Sequence, residues 1–350
     1  VKVSFIITNL SSGGAERVLS IVANYFAQQN IDVQIIAVQD NSIDYPIDKR
    51  IRYVYTERKL KKPFAIIERI LDIRRHIKDS DVIISFLWHI NVYTILATRF
   101  LNKKVIISDR SDPANEVINA TKLQQLARDI FYYFPERIVF QMPGAKSYYS
   151  SKIQEKGLII PNPISPYLPD PYTGIRRKEI VAVCRLAPQK NIKMTIDAFD
   201  LLYKDHPDYT LTIYGDGELR EELEIYVEKL SLQGVISFPG FTKNVHEKII
   251  DSAMYISSSD YEGISNSMLE ALAIGLPSVV TDCPVGGAKM FVKNNENGIL
   301  IPTGDTNALH EAMKRIIEDT GFAEKLSKNA LKLREELSPA IICQRWLELL

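Results

Sequence analysis

Tyr261-Glu262-Gly263-Ile264-Ser265-Asn266-Ser267-Met268-Leu269-Glu270-Ala271-Leu272-Ala273-Ile274-Gly275-Leu276-Pro277 stands between two apolar runs, at 254–259 and 277–282. Both runs read as buried strands, and between them Met268, Leu269, Leu272 and Ala273 recur at helical spacing. Strand, short loop, helix, strand is the unit of a parallel α/β layer. The loop and helix start carry Glu262, Gly263, Ile264, Ser265, Asn266 and Ser267. A helix start offers unpaired backbone N–H groups and partial positive charge, and so binds phosphate readily. Glu262 stands just before that start and Glu270 about two turns in. One carboxylate meets a ligand at the helix mouth while the other reaches it from the side. Two acceptor-only groups beside an anion site suit a ligand with both hydroxyls and phosphates, as a nucleotide sugar has.

The chain has 350 residues, 46% hydrophobic and 25% charged, long enough for two cores of domain size. Net charge is zero but unevenly spread. Residues 1–163 carry 23 Lys+Arg against 16 Asp+Glu, and residues 164–350 carry 20 against 27. Residues 49–78 alone carry 11 basic and 3 acidic side chains. That excess suggests an anionic partner surface, or simply a solvated helix face. Cys184, Cys283 and Cys343 lie far apart and read as small buried hydrophobes in a reducing compartment. No apolar run approaches the ~18–20 residues that span a bilayer. No signal peptide is expected, because residues 1–8 already read as a core strand.

The first half alternates strands and helices. Residues 2–8 form a strand, and Gly13-Gly14-Ala15-Glu16-Arg17 opens a helical pattern. Strand, glycine turn, helix is a Rossmann-like phosphate arrangement, although the dinucleotide fingerprint G-x-G-x-x-G is absent. Further strands are expected at 32–38, 51–56, 81–86, 104–108, 137–141 and 157–160. Residues 64–78 read as an amphipathic helix with Ile66, Ile67, Ile70, Leu71 and Ile77 inward and Arg69, Arg74, Arg75 and Lys78 outward. Arg58-Lys59-Leu60-Lys61-Lys62 precedes it, and a basic helix with basic flanks suits an acidic membrane surface. The absence of interleaved aromatics argues against nucleic acid. Two strand ends carry polar residues where open α/β sheets bind ligands: His89 after the first, and Arg110 with Asp112 after the second. Arg110 and Asp112 are read as a charged pair, serving a ligand or the structure alone.

Five prolines within residues 161–171 mark a linker, and the second half restarts the same rhythm. A strand at 179–184 leads to Arg185 and Lys190, two positives flanking a strand-to-helix loop that suits a diphosphate. The strand at 209–214 ends in Gly215-Asp216-Gly217, and Phe241 follows the strand at 235–238, where it flanks a base or simply packs. The tail reads as helices at 306–318, 323–335 and 340–350.

Taken together, Gly13-Gly14-Ala15-Glu16-Arg17, Arg185 with Lys190-Asn191, Gly215-Asp216-Gly217 and the motif Glu262-x7-Glu270 resemble glycosyltransferase family 4 over essentially the whole chain. The nearest resemblance is to bacterial enzymes of capsule, O-antigen and lipid-linked oligosaccharide synthesis. It implies an α/β chain of GT-B fold: two Rossmann-like domains facing each other across a cleft. Residues 1–163 would bind the acceptor, 164–178 form the linker and 179–337 bind the nucleotide sugar, with 338–350 a helix returning to the first domain.

The resemblance implies catalytic roles for Arg185, Lys190 and Glu262. Donor contacts would come from Gly13, Gly14, Gly215, Asp216, Phe241, Gly263, Ile264, Ser265, Asn266, Ser267 and Glu270, the last accepting ribose hydroxyls. Acceptor contacts would come from Glu16, His89, Arg110 and Asp112. Arg110 stands where many members have His, so anchoring suits it better than base chemistry. The expected reaction moves a hexose or N-acetylhexosamine from a UDP-sugar to a glycan hydroxyl with retention of configuration. No metal or other cofactor is expected. The expected partners are a glycan or lipid-linked glycan acceptor and an anionic membrane surface, at the cytoplasmic face of the inner membrane. The alternatives are a GT-B-like epimerase or phosphorylase, a dinucleotide oxidoreductase, or a non-catalytic carbohydrate binder; fold alone does not choose among them.

Overall fold

The computed structural model describes residues 1–11, 13–56, 64–110, 112–114 and 121–350. The basic run at 58–62 therefore lies outside the described residues. The chain divides into two compact units, Val1–Pro163 with Pro339–Leu350, and Ile164–Ser338.

In the first unit the order is β1 (Lys2–Ile7), α1 (Gly14–Gln28), β2 (Asp32–Ala37), β3 (Arg52–Tyr55), α2 (Phe64–His76), β4 (Val82–Phe86) and α3 (Trp88–Thr98). Then come β5 (Lys104–Asp109), α4 (Lys122–Phe131), β6 (Arg137–Phe140), α5 (Pro143–Ser147), α6 (Ser151–Glu155) and β7 (Gly157–Ile159). The strands form one parallel sheet in the order β3-β2-β1-β4-β5-β6-β7. Its central strands are apolar along almost their whole length because helices cover both faces.

The second unit runs β8 (Arg177–Val183), α7 (Ile192–Asp205), β9 (Thr210–Tyr214), α8 (Arg220–Lys229), β10 (Ile236–Gly240), α9 (Val245–Ile249), β11 (Ser252–Ser257) and α10 (Asn266–Ala273). It continues through β12 (Ser278–Thr281), β13 (Ile299–Ile301), α11 (Thr306–Glu318), α12 (Thr320–Ala330) and α13 (Leu333–Glu336). Its parallel sheet is ordered β10-β9-β8-β11-β12-β13. The final helix, α14 (Pro339–Leu347), packs on α1 in the first unit, where the buried Trp346 ring stacks on Phe86 at 5.5 Å.

Each sheet reverses its winding once, between β1 and β4 in the first unit and between β8 and β11 in the second. Crevices open at the carboxyl ends of strands at such switch points, and ligands of open α/β sheets bind there. The chain leaving β8 carries Arg185 and Lys190, and the chain leaving β11 carries Glu262.

One expectation holds only in part: Ile70 of α2 and Ile77 just after it pack inward as expected, but others do not. Ile66, Ile67 and Leu71 of α2, read as inward, are exposed, while Ala65, Ile73 and Ile77 make the buried contact. The buried side of the helix runs through Ala65, Ile70 and Ile73 and on to Ile77. Arg74, read as outward, donates to the carbonyls of Ala97 and Arg99, each at 2.8 Å.

Candidate active site

After β8 the chain turns through Arg185, Leu186 and Ala187 into one 3₁₀ turn, Pro188–Lys190. Asn191 ends that turn with φ 42°, in the left-handed region that Asn tolerates, and its side chain caps α7 by accepting from Met194 N–H. This turn is tied to the loop after β11. Asp260 N–H donates to Gln189 O at 3.0 Å, and Asn191 Nδ2 donates to Asp260 Oδ1 at 2.8 Å. Gln189 Nε2 donates to Tyr261 O at 2.8 Å and to Glu262 Oε2 at 2.9 Å. Lys190 Nζ closes the junction, 2.8 Å from Glu262 Oε1 and 2.7 Å from Oε2. Both side chains are largely withdrawn from water, 16% and 19% exposed, so this pair is less screened than a surface salt bridge. Arg185 is exposed, and no ion pair is recorded for its guanidinium among the described residues.

α10 begins beside Glu262. Ser265 is its N-cap and accepts from Met268 N–H, while Ser267 Oγ lies 3.0 Å from the Tyr255 hydroxyl on β11. The helix start thus places the Gly263–Ile264–Ser265–Asn266 backbone, with its partial positive charge, next to the Lys190–Glu262 pair. Close backbone contacts shape the surroundings. A Cβ on Gly287 would lie 1.8 Å from Gly263 O, and one on Gly215, at φ +131°, would lie 1.9 Å from Cys184 O. The loop after β9 therefore lies directly on the Arg185 loop. There Asp216 accepts from Gly217 N–H at 2.8 Å, and its carboxylate stands 3.7 Å from Arg220. Phe241 stands 65% exposed after β10, with a face open for stacking instead of packed in the core. A small hollow beneath Glu262 and Gly263 is walled by Ser257, Ser259, Thr281 and Cys283. Burial pushes the Cys283 thiol up to about 11, and its Sγ donates to Ser259 O at 3.2 Å, which ties the ends of β11 and β12.

Glu270 is buried and already engaged. Its Oε1 accepts the backbone N–H of Ser165 at 2.8 Å, and its Oε2 lies 2.8 Å from His246 Nε2. Charge-assisted bonds of this kind offset the cost of burying a carboxylate. No sequence motif marks His246 or Gln189; the folded geometry alone brings each to a glutamate.

In the first unit, Gly13 is the N-cap of α1, and its carbonyl accepts from the Tyr45 hydroxyl at 3.0 Å. The Glu16 carboxylate folds back over it: a Cβ on Gly13 would lie 2.0 Å from Glu16 Oε2. Burial raises the Glu16 carboxyl above the usual range, opposed by backbone and Thr8 hydrogen bonds. Gly14 is the first residue of α1 and is exposed. At the switch point of this sheet Leu87 adopts φ 76°, a strained conformation for a branched residue, and turns the chain into α3. His89 lies edge-on to Trp88 and Tyr93, and its pKa falls to about 4 through burial first and Arg69 second.

Arg110 is buried, 5.5 Å from the Phe86 ring centroid, and donates to Asn162 Oδ1 and Ser108 Oγ. Burial pulls it down to about 9, with Asp109 opposing. Asp112 accepts instead from Ala114 N–H at 3.0 Å. The charged pair expected between Arg110 and Asp112 is thus replaced by separate partners: Arg110 reaches Asn162 beyond β7, while Asp112 holds a backbone N–H two residues on. Among the described residues, no group of His, Cys, Asp and Glu side chains is arranged to hold a metal ion, and no helix is long and apolar enough to cross a membrane.

Two Rossmann-like parallel-sheet units, each with polar loops at its switch point, define the GT-B fold. The crystal structure of Anabaena HepE in complex with UDP and glucose superposes with a TM-score of 0.87, covering 99% of this chain and 98% of that one at 17% identity. Residues 174–333, in the second unit, match the family described as glycosyl transferases group 1.

Over its full length the chain is 27% identical to a Campylobacter jejuni protein, covering 98% of it. That protein is named GalNAc-alpha-(1->4)-GalNAc-alpha-(1->3)-diNAcBac-PP-undecaprenol alpha-1,4-N-acetyl-D-galactosaminyltransferase. This chain is also 23% identical to the amylovoran biosynthesis glycosyltransferase AmsD of Erwinia amylovora, over 97% of this chain and 96% of that one.

Proposed function

We propose that this protein is a retaining glycosyltransferase that moves a hexose or N-acetylhexosamine from a UDP-sugar to a hydroxyl of a lipid-linked glycan. The product would serve bacterial surface polysaccharide or glycoprotein glycan synthesis. The observation that carries the reading is the Lys190–Glu262 pair, at 2.7 Å beside the start of α10, with Arg185 exposed on the same loop. The undecaprenol-linked acceptor in the Campylobacter relative's name supports the acceptor class, the Erwinia relative's name supports polysaccharide synthesis, and the UDP held by HepE supports the nucleotide.

In this reading Lys190 exchanges Glu262 for the incoming diphosphate. Arg185, Lys190 and the α10 start then stabilise the charge that grows on the leaving diphosphate, so no metal is needed for that role. Glu262, released from Lys190 and still held by Gln189, turns its carboxylate to the donor sugar hydroxyls. Glu270, the other carboxylate of the motif, is held by Ser165 N–H and His246; in this reading retention comes from same-face attack, with the departing phosphate taking the acceptor proton. Glu270 meets the ribose, and Arg110 anchors the acceptor. The cationic first half holds the protein at the inner face of an anionic membrane.

The test is turnover of UDP-hexoses and UDP-N-acetylhexosamines with a lipid-linked oligosaccharide acceptor. Transfer with retained anomeric configuration is expected. Turnover of the UDP-sugar without any acceptor would instead support an epimerase, and failure to bind any nucleotide sugar a non-catalytic binder.

A further inference from the structure

We infer that His246 on α9 is a positioning residue for nucleotide recognition: it holds the Glu270 carboxylate in the orientation that accepts the two ribose hydroxyls of a nucleoside diphosphate. The inference rests on the reading of Glu270 as the ribose contact. It starts from how differently the two glutamates of the motif are held. Glu262, 19% exposed, pairs with Lys190, a cation that a diphosphate can draw away. Glu270, 2% exposed, has one donor on each oxygen: Ser165 N–H lies 2.8 Å from Oε1 and His246 Nε2 lies 2.8 Å from Oε2.

An ionised carboxylate only accepts, and its two oxygens offer about four lone-pair sites. With Glu270 ionised, His246 Nε2 is the donor. One donor on each oxygen fixes the plane of the carboxylate and leaves a lone pair on each for a ribose hydroxyl. Both donors come from anchored backbone. Ile164 N–H, next to Ser165, donates to Leu337 O at 3.0 Å, and α9 is pinned by the buried Ile249. The Ser165 donor is main chain and stands there whatever its side chain, so His246 is the donor whose identity sets the orientation. Removing the imidazole takes a donor from a carboxylate that water hardly reaches, and the side chain then gains by turning out of its plane toward solvent.

The approach to α9 adds a second link to the nucleotide. The chain leaves β10 through Phe241, whose ring is exposed, and reaches His246 five residues later. One short segment thus carries both a face open for base stacking and the side chain that fixes the ribose contact.

Calorimetric titration of UDP and of 2′,3′-dideoxy-UDP into the wild type, His246→Ala, His246→Gln and His246→Asn tests the proposal. The wild type should bind UDP about tenfold or more tighter than the dideoxy nucleotide, because hydrogen bonds to a charged acceptor are at stake. His246→Ala should bring the two affinities within about twofold, by weakening UDP and leaving the dideoxy nucleotide unchanged. The amide nitrogen of Gln stands near the place of Nε2 and should restore most of the preference, whereas the shorter Asn should not. The contrast between Gln and Asn decides the matter if the Ala variant does not fold. A wild type that binds both nucleotides alike, or neither, would overturn the ribose reading and the role of His246 with it. A preference for UDP that survives in the Ala and Asn variants would overturn the role of His246 alone. Equal losses for both nucleotides would reduce His246 to a structural tie, and a Gln variant no better than Ala would overturn Nε2 as the acting atom.

Discussion

Lys190 Nζ stands within hydrogen-bond distance of both carboxylate oxygens of Glu262, 2.8 Å from one and 2.7 Å from the other, although 72 residues separate them. The pair joins the loops that leave β8 and β11, the strands at the switch point of the second sheet. Removing one partner leaves a charge in a poorly solvated place. Urea unfolding of Lys190→Ala, Glu262→Ala and the double variant should therefore be non-additive, with a coupling of about 1–3 kcal/mol. Additive losses would show that the pair contributes no more than two separate side chains.

Catalysis should respond more steeply than stability. If Arg185 and Lys190 each act as a preorganised donor to the leaving diphosphate, replacing either by Ala should lower kcat by about 10²–10³-fold. Steady-state rates within twofold of wild type would remove that role.

Glu270 has a structural and a proposed binding task. Glu270→Ala leaves the Ser165 N–H without its acceptor and should destabilise the second unit by about 1–3 kcal/mol. Glu270→Gln keeps an acceptor for Ser165 and should recover most of that stability. Both variants should raise the donor KM more than they lower kcat, because a ribose contact acts alike on the ground and transition states. Donor saturation curves checked against melting temperatures separate the two tasks.

Neighbouring glycines offer a steric contrast. Gly286 has φ +73° with open space around its Cβ position, whereas at Gly287 a Cβ would strike Gly263 O. Gly286→Ala should cost about 1 kcal/mol in backbone strain. Gly287→Ala should cost about 3 kcal/mol and displace the Glu262–Gly263 loop. Melting temperatures give the order, and the reverse order would contradict the packing described.

His89 sets a pH dependence of stability. Its folded pKa of about 4 lies below the ordinary 6.5, so the unfolded chain takes up a proton first as pH falls. The contribution of neutral His89 is complete above about pH 6.5 and is lost down to about pH 4, on the order of 3 kcal/mol in all. Thermal unfolding of His89→Phe should show a shallower acid-side decline than wild type. An identical decline would place the acid sensitivity elsewhere.

Much of this was legible in the sequence because its signals are local. The run 261–277 reads directly as loop and helix between strands, since apolar runs and helical spacing need no knowledge of distant residues. The strand-end loops carrying Arg185 and Glu262 were visible for the same reason. That their ends meet follows from strand order, which periodicity does not encode. Gln189 and His246 escaped because their meaning lies in partners about 73 and 24 residues away. Spacing places Ile70 of α2 and Ile77 just after it correctly but not Ile66, Ile67 and Leu71, because residues 64–71 are apolar on more than one side and spacing alone does not say which side a neighbour covers. Arg110 and Asp112 looked like a pair because adjacency in sequence was taken for adjacency of side chains.

The central claim is that the junction of Arg185, Lys190 and Glu262 grips a sugar nucleotide. Calorimetric titration of UDP into the wild type, Arg185→Ala and Lys190→Ala tests it most directly. The account predicts saturable binding to the wild type, weakened at least tenfold by either substitution while the melting temperature of the free protein stays within a few degrees. Equal UDP affinity in all three proteins would contradict it.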